Sequence, residues 1–137
     1  SIALSQRYDD GRKIDWDATQ KLGADVIREL LAKDWTRDVF MNVNFPACKA
    51  SEVMGVTVVP QGRRSAGYEI HKITPIRGRE YYMLGASQRG TDLRRGDSDY
   101  KAVDRNEVAV TPLHVDLTHR GSLTTIRSDF AKKKPRR

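Results

Sequence analysis

Three groups of residues in this sequence have the types and spacing to do chemistry. Asp9-Asp10-Gly11 sets two carboxylates side by side after a short apolar run, and paired oxygen ligands can hold a Mg2+ ion that keeps several of its waters. Asp and Gly are equally the residues of a solvated turn. Arg7, Arg12 and Lys13 surround and would neutralise the pair, so the turn is the expected reading and no metal is assigned to Asp9 or Asp10. His114-Val115-Asp116-Leu117-Thr118-His119 places two imidazoles five residues apart around a carboxylate. Zinc usually needs three or four protein ligands, and an Asp–His pair could orient a general base. A hydrogen-bonded loop that positions the last helix is the simpler reading. Cys48 follows Pro46 with no His nearby in sequence and reads as an inert thiol. His71 falls in a strand and reads as a surface or cross-strand residue. A single Cys excludes an internal disulfide framework and any Cys-cluster zinc site. There is no Walker loop, no G-x-G-x-x-G and no G-x-S-x-G.

The elements that must position these residues are legible from periodicity. Ile2-Ala3-Leu4 reads as a strand. Asp15 or Asp17 can cap a following helix, with Gln20 three residues after Asp17 as a capping box. Leu22, Val26, Ile27, Leu30 and Leu31 then share one helical face, and Gly23 within it costs about 1 kcal/mol relative to Ala. Val39 to Phe45 alternates apolar residues with Asn42 and Asn44 and stops at Pro46, a strand pattern. Val53 to Val59 reads as a second strand, with Gly55 as a bulge position. Tyr68–Ile76 and Glu80–Leu84 flank Arg77-Gly78-Arg79 and predict a hairpin with a connection of about three residues. Ala86 to Asp99 reads as a polar loop. Val108 to Leu113 is a last strand ended by Pro112, and Ser122 can cap a closing helix in which Leu123, Ile126 and Phe130 share a face. Strand–helix–strand followed by further strands predicts an α/β fold with antiparallel additions.

Composition narrows the class. The 137 residues carry 38% hydrophobic and 31% charged residues, mean hydropathy is −0.65, and apolar runs are only a few residues long. A bilayer-spanning helix needs about 20 apolar residues, so no membrane partner is expected. The opening Ser1-Ile2-Ala3-Leu4 has no basic flank and shows no secretory leader; a cytoplasmic location is expected. The net charge of +7 is unevenly spread. Residues 1–60 carry −1, 61–101 carry +4, 102–131 carry −1, and Lys132 to Arg137 carry +5. Much of the excess is thus a basic tail of the kind that is usually solvated. Without an aromatic nucleic-acid signature, nucleic acid is not expected as a partner.

Several segments, in order, resemble the SurE family of survival-protein nucleotidases. Val108-Ala109-Val110-Thr111-Pro112-Leu113-His114-Val115-Asp116-Leu117-Thr118 is similar to that family's VSITPLHVDLT segment. Ser98-Asp99-Tyr100-Lys101-Ala102-Val103-Asp104 resembles its TDxxAVxxG approach, and Asn42-Val43-Asn44-Phe45-Pro46 its NVNFP strand. Gly55-Val56-Thr57-Val58-Val59-Pro60-Gln61-Gly62 resembles GIxVTRQG. Ser1-Ile2-Ala3-Leu4-Ser5 resembles PALAVSL, and Ser128-Asp129-Phe130 the SDW of the closing helix.

The resemblance covers about the C-terminal half of a family chain. It implies the C-terminal part of a Rossmann-like α/β sheet over residues 1–131, with an extending hairpin at about 68–84, a C-terminal helix and a basic tail at 132–137. It implies a metal-dependent phosphomonoesterase acting on nucleoside 5′- and 3′-monophosphates, with Mg or Mn held by an upstream SNDDG strand end, a Ser and an Asn. None of those ligands falls in this chain. Asp9-Asp10-Gly11 copies the letters but follows the wrong strand, so catalytic and metal residues here are none, and the 137-residue chain alone is expected to be inactive. The resemblance further implies a homodimer or homotetramer, with Asp116 and His119 at a hinge and Tyr68, Tyr81 and Tyr82 on the hairpin as contact residues. The alternative is a non-catalytic oligomerisation or binding module.

Overall fold

The computed structural model describes residues 1–8, 14–63, 68–75, 77–86 and 92–132. It has the mixed α/β architecture the sequence predicts. Strand β1 (Ile2–Gln6) leads to helix α1 (Asp17–Leu31) and strand β2 (Val39–Phe45). A 3-10 turn (Ala50–Glu52) precedes β3 (Gly55–Val58). A two-stranded arm, β4 (Tyr68–Ile73) and β5 (Tyr81–Ala86), is followed by α2 (Asp99–Asp104), β6 (Glu107–His114) and α3 (Arg120–Lys132). The main sheet has the order β1-β2-β6-β3. β1 runs parallel to β2, β6 antiparallel to β2, and β3 parallel to β6.

Side-chain alternation decides which residues meet which helix. Met41, Val43 and Phe45 of β2 and Val108 and Val110 of β6 lie on the face that α1 covers, and they join Ala18, Val26, Leu22 and Leu30 in one core. The Asn42 and Asn44 rows take the other face. There the short α2 packs Ala102 and Val103 against Ala109 and Val59. Gly23 is buried against the sheet, where a Cβ would make ordinary contacts, 3.9 Å from a Leu4 methyl and 4.0 Å from the Phe45 ring. The α1 face is otherwise as periodicity predicts, except that Leu31 is exposed. Trp35 closes the helix by donating from Nε1 to the Leu30 carbonyl at 2.9 Å.

Several local expectations are corrected. Asp17 forms no capping box with Gln20. Its carboxylate accepts from the Ala50 N–H at 2.8 Å and pairs with Lys21 at 2.7 Å, so it ties α1 to the 3-10 turn, while Asp15 accepts from the Asp17 N–H at 3.1 Å. Pro112 does not end the last strand but sits inside β6 opposite Met41. β3 pairs only with Glu107–Val110, so at Pro112 the side facing β3 is open, and in the antiparallel alternation that is the side a proline can occupy without losing a bond. Gly55 opens β3, at φ 148°, rather than bulging it. The polar run after Ala86 is followed by α2, which the apolar pattern was too short to reveal. Its signal was Ser98, whose Oγ accepts from the Lys101 N–H at 3.3 Å.

The hairpin exists, but its strands are Tyr68–Ile73 and Tyr81–Ala86. The connection is therefore residues 74–80 instead of three residues, because Pro75 cannot donate to the ladder. Ile76 lies outside the described residues. α3 also begins earlier than expected. Ser122 is inside the helix, and His119 is the cap: its Nδ1 accepts from the Ser122 N–H at 3.2 Å and contacts Ser122 Oγ at 2.7 Å.

Candidate functional site

The C-terminal ends of β1 and β2 form one edge of the sheet, the edge at which open α/β folds bind ligands. Arg7 leaves β1 there. Its N–H donates to the Phe45 carbonyl at 2.9 Å, and its guanidinium pairs with Asp104 at the end of α2. Arg7, Ala47, Val103, Asp104 and Asn106 line an open cleft of about 220 Å3. The sequence reading had Arg7 only as a neighbour of Asp9 and Asp10. Its actual partner lies 97 residues away, a pairing no local pattern announces. Asp9 and Asp10 lie outside the described residues. Among the described residues, no three His, Cys, Asp or Glu side chains converge on a point that could hold a metal ion.

The His114–His119 segment is a capped loop. The Asp116 carboxylate accepts from the Thr118 N–H at 2.9 Å and from Arg120 at 2.5 Å, and these donors hold its carboxyl below the usual carboxylate range. His119 is committed to Ser122, so Asp116 and His119 serve the start of α3 from two sides without bonding to each other. His114 is exposed on β6, opposite Val39. His71 lies 3.4 Å from Glu69 on β4 and opposite Met83 on β5.

The arm register separates the three tyrosines singled out from sequence. Tyr68, Ile70, Lys72, Tyr82 and Leu84 share one face, and Glu69, His71, Ile73, Tyr81 and Met83 share the other. The apolar members of the first face are 66–70% exposed and those of the second 44–58%. The two adjacent tyrosines Tyr81 and Tyr82 therefore point to opposite sides, and Tyr82 stands with Tyr68.

A cluster missed in sequence lies just before α2. Asp92 Oδ1 accepts from the Arg63 N–H at 2.8 Å and the Arg94 N–H at 3.0 Å, and Asp92 Oδ2 accepts from the Ser98 hydroxyl. These donors, the Ser98 hydroxyl foremost, lower its pKa to about 2. Asp99 Oδ1 accepts from the Gly62 N–H at 2.7 Å. The isolated Asp92 in a Gly- and Arg-rich stretch carried no sequence signal. Cys48 is half-buried. Burial, then Glu52, pushes its thiol pKa up, the opposite of an activated nucleophile.

Fold and site together define an α/β protein with a mixed open sheet, a projecting two-stranded arm and a capped closing helix. Residues 1–68 match the model of the family described as "Survival protein SurE". The chain is 41% identical over 130 residues to 5'-nucleotidase SurE of Paramagnetospirillum magneticum, covering 95% of this chain and 50% of that protein. It is 37% identical to 5'-nucleotidase SurE of Caulobacter vibrioides, covering 100% of this chain and 53% of that protein. The crystal structure of the SurE protein from Aquifex aeolicus superposes with a TM-score of 0.76 at 29% identity, over 94% of this chain and 51% of that one. The chain belongs to the SurE family. It spans about half the length of the curated relatives it matches.

Proposed function

We propose that residues 1–131 form the C-terminal part of a SurE-type nucleotidase domain, followed by the basic tail at 132–137, and that the intact protein hydrolyses nucleoside 5′- and 3′-monophosphates in the cytoplasm. The observation that carries this reading is the 41% identity, over 95% of the chain, to a protein named 5'-nucleotidase SurE. A divalent Mg or Mn ion supplies water activation and charge neutralisation on the phosphoryl group in such a reaction. The described residues here do not provide its ligands. Their contribution is the sheet edge with the Arg7–Asp104 cleft, the arm and the closing helix. The 137-residue chain is inactive alone.

The same reading makes the protein a homodimer or homotetramer. The arm leaves Tyr68, Ile70, Tyr82 and Leu84 exposed on one face, and a lone two-stranded hairpin is marginal in water. The α3 stripe Leu123, Ile126 and Phe130 stands beyond the Asp116–His119 hinge, with Ile126 and Phe130 exposed. A non-catalytic assembly module is the second reading, favoured by these same surfaces.

The deciding measurement is inorganic phosphate released from AMP with Mg2+ or Mn2+. The full-length protein carrying this segment turns over, and the 137-residue chain does not. A full-length protein that binds metal yet releases no phosphate from any nucleoside monophosphate would leave the assembly module standing. Metal-dependent turnover by the short chain, abolished in Asp9→Ala/Asp10→Ala, would overturn the exclusion of that pair.

A further inference from the structure

The cleft at the C-terminal ends of β1 and β2 is built by separate segments of chain, each fixed by backbone bonds. Arg7 is held through its N–H on the Phe45 carbonyl. Asp104 is the last residue of α2, where a carboxylate meets the negative end of the helix dipole, and the Arg7 guanidinium offsets that cost. Asn106 stands at φ 60°, a left-handed conformation in which Asn is enriched among non-glycine residues. Its backbone is tied on both sides: its N–H donates to the Val103 carbonyl at 3.2 Å, and its carbonyl accepts from the Met54 N–H at 2.9 Å. Its side chain lines the cleft, and among the described residues its carboxamide has no hydrogen-bond partner. Sparsely populated backbone that its surroundings hold in place clusters at ligand sites. Val103 and Ala47 complete the lining with apolar surface.

Apolar lining with a few convergent polar groups is the general form of a small-molecule site. At about 220 Å3 the cleft is smaller than the roughly 300–1,000 Å3 of a site that encloses a drug-sized ligand, so it has room for one fragment of a larger molecule. Its charges disfavour a phosphoryl group as that fragment: Asp104 already neutralises the guanidinium and repels a second anion. They suit a neutral ring whose edge carries a donor beside an acceptor. A carboxamide pairs in this way with the N6 and N7 edge of adenine, and a carboxylate has lone pairs to accept from an exocyclic amine. We propose that the cleft is a purine-base subsite: the ring lies against Val103 and Ala47, and Asn106 and Asp104 read its edge. The proposal rests on the nucleotidase reading and names the part of the substrate that this chain holds.

The test titrates adenosine and ribose 5-phosphate separately into the full-length protein with Mg2+, by isothermal calorimetry. Adenosine carries the base without the phosphoryl group, and ribose 5-phosphate the phosphoryl group without the base. Wild type binds both. Asn106→Gly removes the carboxamide and accepts the left-handed backbone without strain; Asp104→Ala removes the carboxylate. Each variant weakens adenosine binding about tenfold, the effect of one lost hydrogen bond, and shifts ribose 5-phosphate by less than about threefold. Neither titration needs turnover. A wild type that binds adenosine in this variant-sensitive way but releases no phosphate from AMP would defeat the nucleotidase reading and keep the base subsite. A wild type that does not bind adenosine would overturn the subsite, as would adenosine affinity equal in wild type and both variants. An equal loss of both ligands would overturn it too, since it would mark a general disturbance of the sheet edge.

Discussion

The body of the molecule and its arm are built from similar residues and end in opposite states. In the body, Val43, Phe45 and Val108 are fully buried between the sheet and α1. In the arm, Tyr68, Ile70, Tyr82 and Leu84 line one face of two paired strands and remain about two-thirds exposed. Strand pairing satisfies the backbone in both. Among the described residues only the body has a helix to take its side chains out of water, worth about 1.5–3 kcal/mol for each large apolar side chain. Buried apolar side chains and exposed apolar side chains are thus carried by separate parts of the chain.

The largest test of that separation is Phe45→Ala. Phe45 is fully buried at the contact of β2 and α1, and its truncation costs about 3–5 kcal/mol, read as a lower midpoint in guanidinium denaturation. Tyr82→Ala, by contrast, leaves the denaturation midpoint of the isolated chain almost unchanged. An equal loss in the two variants would collapse the distinction between body and arm.

Association sharpens the comparison next. Tyr82→Asp puts a charge among Tyr68, Ile70 and Leu84 and lowers the oligomeric mass of the full-length protein in light scattering. Tyr81→Asp, on the opposite face, does so less. Equal effects would mean that both faces of the arm are covered.

Acid probes the bonds that Asp92 accepts from Arg63, Arg94 and Ser98. Asp92 has a folded pKa of about 2 against a reference value of 3.8. A depressed carboxyl contributes stability above the unfolded pKa and loses it as pH falls through the folded one. Protection of the Arg63 amide therefore declines between about pH 4 and pH 2 in wild type. Asp92→Asn shows no such decline in that window. A wild-type profile that is flat there would show that the carboxylate is not held by these bonds.

The smallest effect is a gain. At Gly23 an added Cβ meets only ordinary contacts, 3.9 Å from Leu4 and Thr19, so Gly23→Ala raises stability by about 0.5–1 kcal/mol through helix propensity and a stiffer unfolded chain. A fall in melting temperature would show that α1 and the sheet cannot tolerate even that methyl.

What the sequence determined by itself is the local pattern. The alternation of Met41, Val43 and Phe45 with Asn42 and Asn44 assigned β2 and its buried face, and the spacing of Leu22, Val26 and Leu30 assigned α1. The ordered segments from Asn42-Val43-Asn44-Phe45-Pro46 to Thr111-Pro112-Leu113-His114 assigned the family. These signals survive because period-2 and period-3.6 burial is written residue by residue. Tertiary structure decided the rest. Pro112 can sit within β6 because β3 stops short of it. His119 rather than Ser122 starts α3, since a ring nitrogen can accept the N–H that a Ser usually would. Arg7 finds Asp104 and Asp92 finds Arg63 across long stretches of chain. Such pairings depend on where the sheet brings separate segments together, and a charged or capping side chain carries no mark of its partner until the fold supplies one.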